Sequence, residues 1–159
     1  MPGGDSPTLK SQRVNITILE CTIEEVVAIS CQVPEFKDPY PAEEYHLRLK
    51  EKEHLVLIAK YEDEPAGFKV GYNKENDGSF YSWMGAVLPK FRKLGIAQAL
   101  LEEQVQWARS KGYKSVRFKT RNHLKPMLIF GLKNGFDIIE VIPYPGVKDH
   151  RILLEKSLK

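Results

Sequence analysis

The chain has 159 residues, 42% of them hydrophobic and 28% charged, with a formal net charge of +3 at pH 7. That length suits one domain with a core of its own, and the composition excludes a disordered, collagenous or membrane-spanning chain. Cys21 and Cys31, with no Cys-x-x-Cys and no Cys/His cluster, give neither a disulfide framework nor a zinc site and read as reduced packing residues.

Taken in chain order, residues 1–11 read as a flexible tail and 12–159 as the domain. The first seven residues are small and polar with no apolar core, which argues against a secretory signal and for the cytoplasm. Val14, Ile16 and Ile18 alternate within a strand, Arg13 to Leu19. Thr22 is placed as the N-cap of a short helix through Cys31, with Glu24 and Glu25 in its first turn. Pro34, Pro39 and Pro41 interrupt the chain before a second helix, Ala42 to Lys50. His54–Tyr61 is a strand, 62–65 its turn, and 67–72 the next strand. Asp77-Gly78 ends a polar turn, so the strand 79–88 forms a hairpin with its predecessor.

Pro89 ends that strand. Gly95 to Lys111 is a long amphipathic helix with Ala97, Leu100, Leu101, Val105 and Ala108 on one stripe, and Gly112 sits at its C′ position. Val116, Phe118 and Thr120 alternate with Arg117, Lys119 and Arg121, as in a strand with one wet or ligand-facing side. Pro126 opens a helix that stops at Asn134-Gly135. Strands 136–142 and 151–158, joined by the loop 143–150, close the chain. The order β-α-α-β-β-β-α-β-α-β-β implies an α+β (α/β layered) domain with a mixed sheet.

Charge is unevenly distributed. From Glu20 to Glu64 twelve acids face five bases, while Gln104 to Phe136 contains eight bases and no acid. Two ligands of opposite sign would fit that split, and solvated surfaces would explain it equally. No nucleic-acid motif accompanies the basic stretch.

The segment Gly85-Ala86-Val87-Leu88-Pro89-Lys90-Phe91-Arg92-Lys93-Leu94-Gly95-Ile96-Ala97 carries the chemistry. A strand, a basic turn and a helix after a glycine place unpaired N–H groups and partial positive charge where an anion can sit. Gly95 has no side chain to block a phosphate, and Arg92 and Lys93 add charge. The pattern is neither a P-loop nor a dinucleotide-binding turn.

Arg92-Lys93-Leu94-Gly95-Ile96-Ala97 resembles the Arg-x-x-Gly-x-Gly/Ala signature of the GNAT superfamily of N-acetyltransferases. Ala86-Val87-Leu88-Pro89 looks like that family's strand before the loop. Asn122 at a strand end, Lys133-Asn134-Gly135-Phe136 and the element order extend the likeness from Val14 to the C-terminus. The resemblance implies a mostly antiparallel mixed sheet flanked by helices, with acetyl-CoA as co-substrate. Main chain of Ala86, Val87 and Leu88 would bind its pantetheine arm. Arg92, Lys93, Leu94, Gly95, Ile96 and Ala97 would hold its pyrophosphate. Asn122 would lie near the thioester, and the Val87 N–H would stabilise the oxyanion. The reaction implied is direct attack by an amine in a ternary complex, with no metal. The alternative is a non-catalytic acyl-CoA-binding module.

The family's acid, a tyrosine in the last helix, is missing. Counted from Gly135 its position is Gly131, and counted from Asn122 it is Ile129. The family's glutamate base maps near Trp83. Tyr144, Tyr81, Glu44 and His46 are possible substitutes. Tyr81 and Trp83 share a face that is either core or acceptor wall. The acceptor is a small-molecule or peptide amine. The acids of the first two helices, Glu24, Glu25, Glu35, Asp38, Glu43 and Glu44, would favour a cationic one. Neither nucleic acid nor membrane is expected as a partner, and the chain is a monomer or a homodimer.

Overall fold

Local signals place the elements where the sequence puts them. A computed structural model describes residues 14–159. Its strands are β1 (Ile16–Glu20), β2 (His54–Tyr61), β3 (Glu64–Tyr72), β4 (Ser79–Val87), β5 (Ser115–Arg121), β6 (Asp137–Ile142) and β7 (Arg151–Ser157). Its α-helices are α1 (Ile23–Ser30), α2 (Ala42–Leu49), α3 (Ile96–Ser110) and α4 (Lys125–Lys133). The tail 1–11 and the start of the strand expected from Arg13 lie outside the described residues. Val14, expected in that strand, precedes it and is 81% exposed.

Thr22 caps α1 with a full capping box: its Oγ1 accepts from the Glu25 N–H, and Glu25 Oε1 accepts from the Thr22 N–H, both at 3.1 Å. The turn expected at 62–65 is shorter. Tyr61 pairs directly with Glu64, and Glu62 and Asp63 both take positive φ, 49° and 70°. That is the two-residue primed turn whose twist matches a hairpin, made here without glycine or asparagine. The stripe of α3 also needs correction. Ala97 is exposed, and the buried residues are Ile96, Leu100, Leu101, Gln104, Val105 and Ala108. Both cysteines are free thiols, but Cys31 is exposed rather than packed.

The seven strands form one sheet in the order β1-β2-β3-β4-β5-β7-β6, antiparallel except where β4 runs beside β5. Neighbouring residues on a strand face opposite sides, and this sorts the helices. Tyr72 contacts Trp83, which packs on Tyr45 of α2. The adjacent Gly71 lies against Phe80 and Gln104 of α3. Gly131 of α4 lies against Phe118 and Leu154, on the same face as α3. So α1 and α2 cover one face, while α3 and α4 cover the other. The core runs from Val26 and Tyr45 through Phe68, Val70 and Phe80 to Ile96, Val116 and Leu154.

Candidate functional site

The parallel pairing of β4 with β5 is brief. It joins Ser79 to Ser115, Phe80 to Val116 and Tyr81 to Arg117, and then the strands part. One cause lies in β4 itself. Met84 pairs with Val70 and Ser82 with Gly71, so Trp83 is an extra residue in the strand. A bulge of this kind bends its strand and ends regular pairing. Beyond Tyr81, β4 is bonded to β3 alone.

Which main-chain groups face the resulting gap follows from one hydrogen bond. The Leu88 N–H donates to Ala66 C=O at 2.8 Å. In an antiparallel pair the bonded residues alternate, so Ala86 and Leu88 turn their main chain toward β3, and Gly85 and Val87 turn theirs toward the gap. Of the expected trio Ala86, Val87 and Leu88, only Val87 therefore turns main chain toward the gap, and Gly85 joins it. The Val87 C=O already accepts from Arg92 Nε at 2.8 Å, leaving its N–H.

At the foot of the gap a 3-10 turn, Pro89–Phe91, leads into the loop before α3. Lys93 and Gly95 both take left-handed backbone, with φ of 66° and 88°. Gly95 is the N-cap of α3, and its left-handed φ is one that glycine adopts at no steric cost. No hydrogen bond between described residues uses the N–H groups of Lys93, Leu94, Gly95, Ile96, Ala97 or Gln98. This row of donors at the start of a 15-residue helix could hold an anion.

Arg92 is not a free charge beside that site. Its two terminal nitrogens grip both carboxylate oxygens of Glu35, each at 2.8 Å, while its Nε holds Val87. The residue thus ties the loop after α1 to the end of β4. Sequence spacing could not show this, because 57 positions separate the partners. Lys93, with no ion pair among the described residues, keeps its charge for a ligand. The guanidinium hydrogen bonds hold the Glu35 carboxyl down to about 2. The sign follows from that depression: the pair's contribution is complete above the ordinary carboxylate range and fades as pH falls toward 2. A carbon-detected NMR titration should place the Glu35 midpoint near 2, and Arg92→Gln should return it to the ordinary range. An ordinary midpoint in the unaltered protein would show that the fork does not persist in solution.

Lys69 is a second residue missed by sequence. It stands opposite Gly85 in the β3–β4 pair, with Nζ 3.7 Å from where a Cβ on Gly85 would lie. Burial lowers its ammonium to about 8. In the sequence it is one more lysine of a strand, and only the pairing brings it to the gap.

A family model described as the acetyltransferase (GNAT) family matches residues 24–136. The chain belongs to the GNAT acetyltransferase family. Solved structures agree in fold. An alanine N-acetyltransferase acting on a ribosomal protein, from Escherichia coli, superposes with a TM-score of 0.76 at 14% identity, covering 91% of this chain and 94% of that one. A GNAT family acetyltransferase from Elizabethkingia anophelis, with acetyl-CoA bound, gives 0.70 at 25% identity, covering 90% and 98%. A GNAT acetyltransferase from Streptococcus pneumoniae gives 0.69 at 17%, covering 89% and 99%. Comparison with curated protein sequences returns no match.

Most of the remaining expected residues of this GNAT chain are held by other groups or carry no proton. Asn122 is occupied: its Nδ2 donates to Val147 C=O at 3.1 Å, and its Oδ1 accepts from Lys125 at 3.3 Å. It pins the loop between β6 and β7 rather than pointing both ends at a ligand. Gly131 faces the core, and a Cβ there would lie 2.7 Å from the Phe118 ring. A tyrosine at 131 therefore could not reach the gap. Ile129 is 52% exposed and carries no proton. Glu44 is held by Arg48 at 2.7 Å and His46 by Glu24 at 2.9 Å. The guanidinium of Arg151 lies 4.1 Å over the Tyr144 ring. Tyr81 remains, half-buried at the closed end of the gap, with burial raising its hydroxyl above the ordinary tyrosine value. Among the described residues no group of His, Cys, Asp and Glu gathers to hold a metal. No helix there is long and apolar enough to cross a membrane.

Proposed function

We propose that this GNAT chain transfers the acetyl group of acetyl-CoA to a primary amine, with both substrates bound together. The observation that carries this reading is the row of unused N–H groups from Lys93 to Gln98 in the loop that leads from the end of β4 into α3. The pyrophosphate fits those donors, with Lys93 beside it and Gly95 offering no side chain. From Val87 to Trp83 the strand runs about 13 Å, so an extended pantetheine arm laid along it brings the thioester to the bulge. Val87, at the loop end, suits the arm rather than the oxyanion expected of it from sequence. Main-chain groups at the bulge are the better placed donors for the carbonyl oxygen.

The neutral amine attacks the thioester carbonyl. A C–N bond forms, the C–S bond breaks, the sulfur leaves as a thiolate and the nitrogen sheds a proton. With no tyrosine available from α4, most of the acceleration comes from holding amine and thioester in contact. Release of free thiol from acetyl-CoA should be slow but measurable in a screen of polyamines, aminoglycosides, amino acids and peptide N-termini. Binding of acetyl-CoA with no release for any class would leave a binding module instead.

A further inference from the structure

The closed end of the gap is walled by aromatic rings. Trp83 packs on Tyr45, Tyr40 and Tyr72, at centroid distances of 4.9, 5.5 and 5.9 Å. Tyr81 meets Tyr72 edge-on at 5.9 Å. Three cations from three separate parts of the fold converge on this wall. Arg48 of α2 lies 4.6 Å over Trp83 and 5.3 Å over Tyr40. Lys74, just past β3, lies 4.6 Å over Tyr81. Lys119 of β5 is on the same sheet face as Arg117 and the Tyr81 it pairs with.

These charges are close enough to repel. The Lys74 ammonium is lowered first by burial and then by Lys119, with Arg48 adding and Glu75 opposing. Arg48 has Glu44 on its Nε, but Lys74 and Lys119 have no ion pair among the described residues. Arg117, beneath them, is satisfied by Glu155 and Asp77. Lys74 and Lys119 are both exposed, so together they present a local positive potential that draws an anionic group to the aromatic wall.

The acids that pointed to a cationic acceptor are mostly spent elsewhere. Glu24 binds His46, Glu25 caps α1, Glu35 grips Arg92 and Glu44 grips Arg48. With Arg48 paired to Glu44, the cations left without an ion pair among the described residues at the closed end of the gap are Lys74 and Lys119. We propose that the acceptor is an amine that also carries a carboxylate, which Lys74 and Lys119 bind beside Arg48 while its hydrocarbon part lies on Tyr81 and Trp83. This rests on the acetyl-transfer reading above and names its substrate class.

The test compares amino carboxylates, neutral monoamines and diamines of matched chain length, by initial rates of thiol release from acetyl-CoA. The amino carboxylate should exceed the neutral amine in kcat/KM by about tenfold or more, the effect of one charge-assisted hydrogen bond. Lys119→Glu, at an exposed strand position, should reverse the order so that the diamine leads. Calorimetry with an N-acetylated amino carboxylate, added to the protein saturated with coenzyme A, reads the same site without turnover. Its binding should weaken by about tenfold or more in Lys119→Glu and in Lys74→Gln. A preference for the diamine in the unaltered protein, or indifference to Lys119→Glu in both rate and binding, overturns the proposal. Absence of turnover with every amine, alongside charge-dependent product binding, would instead count against acetyl transfer alone.

Discussion

Gly95→Asp should fold normally and lose acetyl-CoA affinity by about a thousandfold, since a like charge roughly 4 Å away at an effective dielectric of about 20 costs about 4 kcal/mol. Folding should survive for two reasons. Gly95 is the N-cap of α3 with φ 88°, and aspartate is both a favoured N-cap and one of the few residues that tolerate left-handed backbone. The lost affinity therefore isolates the ligand's charge. Its carboxylate would stand among the N–H groups of Lys93 to Gln98 and take the anion's place. Gly95→Asn has the same shape without the charge and should lose far less. Titration calorimetry with acetyl-CoA decides the matter. Near-normal affinity for the aspartate variant would remove the loop before α3 from the site, and with it the acetyl-CoA reading.

Gly131→Tyr, at the position where family spacing would put a catalytic tyrosine, should damage the fold instead of supplying an acid. A Cβ at 131 would lie 2.7 and 3.0 Å from two carbons of the Phe118 ring and 3.4 Å from Leu154 Cδ2. Those are core side chains with little room to move, Phe118 6% and Leu154 0% exposed. Overpacking of this kind costs about 3 kcal/mol, and a whole phenol more than a methyl. For a domain of this size that lowers Tm by about 10 °C. Ile129→Tyr is the control: residue 129 is 52% exposed, and the change should leave Tm within about 2 °C. A Gly131→Tyr variant with unchanged Tm and an altered pH–rate profile would mean that α4 is turned differently and that the helix can present an acid to the gap.

Much of the frame was legible because it is written locally. The run 54–61 carries a continuous apolar stretch rich in β-formers, and β2 occupies those residues. Thr22 and Glu25 are three apart, close enough for a capping box to be read directly. Gly95 bounds α3 as expected, and Gly112 follows it with φ 90°. What was not legible comes from partners distant in sequence. Arg92 looks like a phosphate ligand until Glu35 is brought beside it. The acids at and between the first two helices look like a rim until Glu24, Glu25, Glu35 and Glu44 are seen with their own base or cap. Asn122 looks free until Val147 closes on it. The bulge at Trp83 is invisible for another reason: an extra residue in a strand disturbs alternation no more than an ordinary apolar substitution would. The primed turn at Glu62-Asp63 lacks the glycine or asparagine that usually announces one.

The short seam between β4 and β5 has a thermodynamic side. Three paired positions join a four-stranded block, β1 to β4, to a three-stranded one, β5 to β7, and beyond Tyr81 the β5-facing edge of β4 has no strand partner. A ligand bound there, as proposed for acetyl-CoA, would supply the missing strand, bonding to β4 and filling the space before β5. Its binding energy is then also cohesion between the two blocks. At a ligand concentration roughly a thousand times its dissociation constant, that linkage adds about 4 kcal/mol to the folded state. Tied to the sheet in this way, the enzyme would be most robust when its acyl donor is plentiful and least so when the donor runs low.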